Sequence, residues 1–421
     1  MLADVLRRFG LGKLAGNTII STFWQCLRIA GQALWVIMIA RALGAPGYGA
    51  FAGIAGLATT LGGFAGLGTG LLLLQNVSRD HAMFGAHWRK ATLTTLASGL
   101  VLVVFFCLVA RPIAGSYATL PVIAAIGLSE LVCYPLVYVA GFAFQSHERL
   151  GWSGALATLM SGARLLAIVV FWFSAATMDL ATYAWFHLGA SVVTAMCALG
   201  LVRVLLRSPR ARFELRASEV REGLSFSAVW FTGNALTELD KTLALRFAGS
   251  EIAGVYSAAY RLVSALTLPV ASLALAAQPR LFRKGADPAD GNPRLVRHLA
   301  LVAAAYGSAA SIVLLVLAGL LPVLLGHAFE SATRAARLLA LVPPLFSLRL
   351  IGNTVLMTSG RQLVRVAIEI LGVLLLIGLA SVWMPEYGVE GVAMTVTATE
   401  AALAATVWAV LWSGKRGHRA F

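Results

Sequence analysis

Apolar positions along the chain gather into long runs separated by short polar turns. Twelve runs can be read: 17–40, 47–74, 91–110, 118–145, 152–175, 180–205, 222–247, 252–276, 296–325, 335–357, 362–383 and 389–413. A helix rising about 1.5 Å per residue needs roughly 20 residues to cross a hydrocarbon core ~30 Å thick, and these runs reach that length. The pattern predicts an all-α polytopic membrane protein of about 12 transmembrane helices. The first run is too long for the apolar stretch of a cleaved signal peptide, and no small-residue cleavage site follows it.

Two short stretches repeat at a constant offset of 205. Arg41, Gly44, Gly49 and Phe51 open the second run, and Arg246, Gly249, Gly254 and Tyr256 open the eighth. The longest polar connection, Arg203–Arg221, falls after the sixth run. Together they predict two six-helix lobes of the same orientation, 1–208 and 222–421, joined by a basic linker at 209–221. Duplicated bundles of this kind place a central cavity between their halves. A second basic loop, Arg280–His298, carries Asp287, Pro288, Gly291 and Pro293 and is expected to be mobile.

Charge sets the orientation. The chain has 421 residues, 59% hydrophobic and 12% charged, with mean hydropathy +0.83 and net charge +15. With the N-terminus inside, 23 of the 33 Lys and Arg fall on inner segments and helix ends, five on outer ones and five within spans. By the positive-inside rule both termini are cytoplasmic. The basic excess then faces anionic membrane lipids, so no nucleic-acid partner is needed to explain it. Cys26, Cys107, Cys133 and Cys197 lie in apolar runs without a CxxC pair and read as small buried hydrophobes. No HExxH, Walker A or GxSxG motif is present, so neither a catalytic residue nor a metal site or cofactor is assigned.

The chemistry lies in polar residues inside the runs. Asn17, Ser21, Gln25, Arg28 and Gln32 are spaced 4, 4, 3 and 4, which stacks them on one helix face. A charge at the depth of Arg28 is costly and points to a bundle interior or hydrated cavity. Arg164, Arg261 and Arg349 are further deep arginines. Glu130, Glu238, Asp240, Lys241, Glu369 and Glu400 complete the buried ionisable set. In the seventh run Asn234, Glu238 and Lys241 share a face, with Asp240 pointing elsewhere. Arg361, Arg365 and Glu369 share a face of the eleventh. If the arginines converge, their cavity suits an anion, and the guanidinium fork suits phosphate oxygens. Alternatively they pair with acids, Glu130 with Arg164 or Arg28 and Asp240 with Arg261, and only stabilise the bundle. Pro121, Pro135, Pro269, Pro322, Pro343 and Pro344 are candidate kinks. The glycine-dense stretch Gly62, Gly63, Gly66, Gly68 and Gly70 suits close helix packing.

The segments MIARALGAPGYGAFA, LLLLQNVSRD and LTELDKTLALRFAGSEIAGVYSAAYRLVSALTLPVASLALAAQPRLF resemble the polysaccharide-transporter (Wzx-type) flippases. These belong to the multidrug/oligosaccharidyl-lipid/polysaccharide exporter superfamily. The resemblance implies a bacterial inner-membrane protein. Its expected activity is translocation of an undecaprenyl-pyrophosphate-linked oligosaccharide between leaflets by alternating access. It implies a cationic lumen, with Arg28 foremost for the pyrophosphate, alongside Gln25, Gln32, Arg164, Arg261, Arg349 and Lys241. An ion gradient would supply the energy, with Glu400 and Glu369 as proton carriers; Arg365, four residues before Glu369, opposes the latter. A polysaccharide polymerase and glycosyltransferases are the expected partners. A drug or cation antiporter of the same superfamily would share the fold but carry an acidic N-lobe cavity. A glycan polymerase or ligase would need more chain outside the membrane than turns such as Phe173–Leu180 and Met384–Val389 provide.

Overall fold

The long apolar runs become helices, and the breaks between them fall where glycine or a polar turn allows the chain to reverse. The computed structural model describes residues 13–207, 216–283 and 293–417. The expected loop residues Asp287, Pro288 and Gly291, and the linker positions 209–215, lie outside the described residues. Among the described residues nine continuous helical stretches are long and apolar enough to cross a membrane. Two of them, Thr22–Arg79 and Gln362–Ser413, are double: Gly44 (φ 65°) and Gly388 (φ 54°) break each into two crossings. The helix Ala217–Phe247 is also long enough, but its seven charged side chains make it less apolar.

Twelve crossings result, as the hydrophobic pattern predicts. They are α1 (13–43), α2 (44–79), α3 (His81–Ala114), α4 (Leu120–Ser146), α5 (Leu150–Ser174), α6 (Leu180–Leu205), α7 (Ala217–Phe247), α8 (Ser250–Arg283), α9 (Arg294–Leu325), α10 (His327–Thr358), α11 (362–387) and α12 (388–417). Side chains such as Val101 (70% exposed) and Val316 (73%) are apolar yet open to the surroundings. That is the expected state of a surface solvated by lipid.

Packing divides the molecule into two units. The first holds the described residues up to Leu43 and Leu57–Phe231; the second holds Gly44–Gly56 and the described residues from Thr232 onward. Ile123, Phe144, Ile168, Phe171 and Tyr183 are fully buried in the first unit. In the second, Val270 and Ala274 of α8, Ala303 of α9, Ile351 and Val355 of α10, and Leu403 and Val407 of α12 form one apolar core.

The two copies of the repeated motif meet inside the second unit. Gly44 and Gly249 (φ 92°) each take the left-handed backbone that starts the next helix, which glycine adopts without steric cost. Gly49 and Gly254 then pack directly on each other. A Cβ on Gly49 would lie 1.9 Å from Ser250 O, and one on Gly254 would lie 2.0 Å from Ala45 O. Gly53 and Gly56 continue this face against Leu245 and Glu238, and Thr242 Oγ1 donates to Gly53 O at 2.7 Å. This is the small-residue contact by which membrane helices approach closely.

Three expectations change. Helix α2 is not continuous, because Ala65–Gly68 leave helical geometry, with Gly66 and Gly68 at positive φ, before the helix resumes at Thr69. Gly68 crosses Gly223 there, with a virtual Cβ 2.2 Å from Gly223 O. Pro121 is not a kink but sits in the first turn of α4, where no intrahelical bond is lost, whereas Pro322 and Pro343 follow the 3-10 turns Ala318–Leu320 and Leu339–Leu341 that interrupt α9 and α10. Pro135 follows the π-helical turn Ser129–Cys133, which accommodates its missing N–H. Of the cysteines, Cys133 is buried, Cys107 is half-buried, and Cys26 and Cys197 are exposed on apolar helix surfaces.

Candidate functional site

Helix α1 carries its polar stripe into a cleft of the first unit. Arg28 and Gln32, one turn apart, line that cleft with Trp35, Tyr134, Tyr138 and Arg164. Gln25 is exposed and lies outside the lining, and the side chains of Asn17 and Ser21 fall outside the described residues. Arg28 is half-buried and forms no ion pair or hydrogen bond among the described residues. Its full charge and five donors therefore remain available to a ligand.

Arg164 reaches the same cleft from α5 but is partly committed. Its Nη2 donates to Glu130 Oε1 at 2.7 Å, its guanidinium lies 5.4 Å from the centre of the Tyr134 ring, and its Nε has no partner. Glu130 sits in the π-helical turn of α4, and the same Oε1 lies 3.0 Å from His187 Nε2 on α6. His187 in turn stacks on Trp35, whose Nε1 donates to Tyr183 Oη at 2.7 Å. Of the two acid pairings open to Glu130, the fold selects Arg164. Arg28 is left free.

The second unit holds a counterpart on its last three helices. Arg349 of α10 donates from Nε and Nη2 to both oxygens of Glu400 on α12, at 2.7 and 2.9 Å. Glu369 of α11 accepts from Thr232 Oγ1 (2.7 Å), Asn353 Nδ2 (3.0 Å) and Arg365 Nε (3.0 Å). Arg361, expected on the same face, instead reaches Val410 O. The fourth, fifth and sixth helices thus carry acid, arginine and histidine, whereas the tenth, eleventh and twelfth carry arginine, acid and acid.

The expected pairing of Asp240 with Arg261 does not form. Asp240 accepts from the Tyr256 hydroxyl and, at 3.1 Å, from Lys241 Nζ. Lys241 also lies 3.3 Å from Glu238 and 4.6 Å from the centre of the Tyr260 ring. Asp240 therefore does not point away from Lys241, because the backbone lets adjacent long side chains fold back together. Arg261 remains half-buried beside Tyr48, with Glu238 and Asp240 acting on it through space and its Nε unbonded. The deep cations thus fall into two classes. Among the described residues Arg164, Arg349 and Lys241 are paired with carboxylates, while Arg28 and Arg261 form no ion pair.

Sequence spacing missed the aromatic half of the cleft. Trp35 extends the α1 stripe by three residues, and Tyr134 and Tyr138 are one turn apart, so helical spacing carries both signals. His187 gave none, because one imidazole in an apolar run has no periodicity to read.

Solved structures of the same fold are membrane transporters. The inward-facing conformation of a multidrug resistance MATE family transporter of the MOP superfamily matches with TM-score 0.72 and 14% identity, over 93% of this chain and 96% of that one. The outward-facing conformation of such a transporter matches with TM-score 0.59 and 15% identity, over 95% of each chain. A MOP superfamily transporter from Pyrococcus furiosus, whose binding pocket is described as reversed in polarity, matches with TM-score 0.59 and 14% identity, over 96% of this chain and 95% of that one. At such identities the likeness shows the fold alone. No curated protein sequence matches the chain. A family model described as polysaccharide biosynthesis protein matches residues 14–284, well over half of the sequence. The chain belongs to the polysaccharide biosynthesis protein family, and its fold is that of the MOP-superfamily transporters it resembles.

Proposed function

We propose that the protein is a flippase that moves an undecaprenyl-pyrophosphate-linked oligosaccharide from the cytoplasmic to the periplasmic leaflet of a bacterial inner membrane. The observation that carries this reading is the cleft of the first unit. Arg28, a guanidinium unpaired among the described residues, stands there beside the half-committed Arg164 and three aromatic rings, Trp35, Tyr134 and Tyr138. Guanidinium groups suit a pyrophosphate, and flat apolar rings with polar edges suit sugar faces. Gln32 adds a neutral donor and acceptor.

A drug or cation antiporter would be served poorly by a cleft whose uncompensated charge is positive. Its Glu130 is already occupied by Arg164. Arg261 is the matching candidate from the second unit, while Lys241 and Arg349 would bind substrate only by releasing their acids. Ion coupling is assigned to Glu400 and Glu369, each of which would have to release its arginine, Arg349 or Arg365, on taking up a proton. Both termini are assigned to the cytoplasm by the Lys and Arg bias.

Deletion of the gene tests the reading. The expected result is accumulation of complete lipid-linked glycan in the inner leaflet, inaccessible to a glycan-modifying reagent outside the membrane. Glycan that accumulates in the outer leaflet, or that is truncated, would assign the protein to polymerisation or assembly instead.

A further inference from the structure

A long apolar groove runs along the second unit between α9, α10 and α12, apart from the charged residues of the site. Ala300 and Ala304 of α9 form one wall, Leu348 of α10 the floor, and Ala405, Trp408 and Trp412 of α12 the other wall. The open groove measures about 770 Å³, within the range of ligand-sized pockets. Alanines clear the space, and Trp408 is fixed in place by its Nε1 donating to Leu348 O at 3.1 Å. One charged residue lines it, Arg297, at the end where α9 begins and α12 finishes; its side chain is exposed.

Length and charge identify the occupant. From Ala401 to Trp412 the wall rises roughly 16 Å at 1.5 Å per residue, about half of a ~30 Å hydrocarbon core. A wall of that length matches the acyl region of one leaflet, and Arg297 near the start of α9 would then stand toward that leaflet's headgroups. A second apolar groove, in the first unit, is lined by Leu67, Leu93, Leu100 and Val101 and has no charged lining residue. It offers nothing to a headgroup.

We propose that the α9–α10–α12 groove binds one acyl chain of an anionic phospholipid, whose phosphate group is held by Arg297. The occupant is a resident lipid of the leaflet. A polyprenyl tail is far longer than the groove and would leave most of its length outside it.

The test uses the full-length protein in vesicles containing, at equal mole fraction, brominated phosphatidylglycerol or brominated phosphatidylcholine. Bromine quenches tryptophan on contact, and the share of Trp412 is isolated by subtracting the signal of Trp412→Phe. The anionic lipid is expected to occupy the Trp412 position about five-fold more favourably, the ratio that corresponds to ~1 kcal/mol for one basic residue near the surface. Arg297→Gln, a change at an exposed position, should bring the ratio to one. Ala405→Phe, which fills the groove from an exposed site, should do the same. Equal quenching by both lipids, or an anionic preference that survives Arg297→Gln, would overturn the proposal. So would displacement of the quenching by an equimolar polyprenyl phosphate, which would give the groove to the substrate's tail. Phospholipid retained through purification provides a second measurement: the wild type should carry more anionic lipid than Arg297→Gln, and equal amounts would count against the site.

Discussion

Arg28 and Arg164 face one cleft but answer to different constraints. Arg164 compensates the buried Glu130, which is 7% exposed. Removing it leaves a carboxylate uncompensated inside the bundle, and breaking such a pair costs about 3–5 kcal/mol. Arg164→Ala is therefore expected to lower the melting temperature and abundance of the protein, and Glu130→Gln in the same chain should recover most of the loss. Arg28 compensates no acid among the described residues, so Arg28→Ala should melt like the wild type. Thermal unfolding of the purified variants checks both, and equal destabilisation by the two would contradict the division. The α1 stripe was legible because Gln25, Arg28 and Gln32 keep helical spacing. Which arginine pairs with which acid was not, since pairing depends on neighbours more than 30 residues away, such as Glu130 for Arg164. The neighbouring residues Asp240 and Lys241 show the same limit. Spacing on a helical wheel put them on different faces, and long side chains brought them together.

At the scale of helices, close contact and capping set the geometry. Gly254 has no room for a methyl group beside the Ala45 carbonyl, whereas Gly200 on α6 has no atom within 4 Å of a virtual Cβ. Gly254→Ala should destabilise the fold by an amount at the upper end of the ~1–3 kcal/mol typical of overpacking, and Gly200→Ala should be neutral or stabilising. Comparable melting of the two variants would contradict the motif–motif crossing. Asp179 caps α6 from the turn before it, accepting from Thr182 N at 2.7 Å. The Thr182 backbone N–H, with the Thr177 hydroxyl, holds its carboxyl below the usual range. The cap's contribution is present above the ordinary carboxylate value and is lost as pH falls through the lower folded value. Asp179→Ala should thus cost ~1 kcal/mol near neutrality, and the gap from wild type should close below about pH 4. A gap that stays constant with pH would rule out the charged cap. The helices themselves were legible as apolar runs. The π-helical turn at Ser129–Cys133 and the break at Ala65–Gly68 were not, because both depend on what the backbone packs against.

For the whole molecule, the repeat at offset 205 and the count of apolar runs were enough to read a duplicated twelve-helix bundle. Four matched positions carried the repeat: at one, Gly44 and Gly249 share a required backbone state, and at another, Gly49 and Gly254 touch. The chain passes between the packing units at Leu43–Gly44, at Gly56–Leu57 and, inside α7, at Phe231–Thr232, where no change in composition marks it. The central claim is that this bundle moves a pyrophosphate-linked glycan lipid by means of Arg28. Its most direct test is a flipping assay in vesicles reconstituted with the purified protein. Labelled lipid-linked oligosaccharide is placed in one leaflet, and its exposure to a membrane-impermeant glycosidase is followed in time under an imposed pH gradient. The wild type should transfer the lipid. Arg28→Ala, inserted at equal density, should fall to the protein-free rate, and Arg28→Lys should recover part of the activity because it keeps the charge without the fork. Transfer by Arg28→Ala at the wild-type rate, or no transfer by the wild type above empty vesicles, would contradict the account.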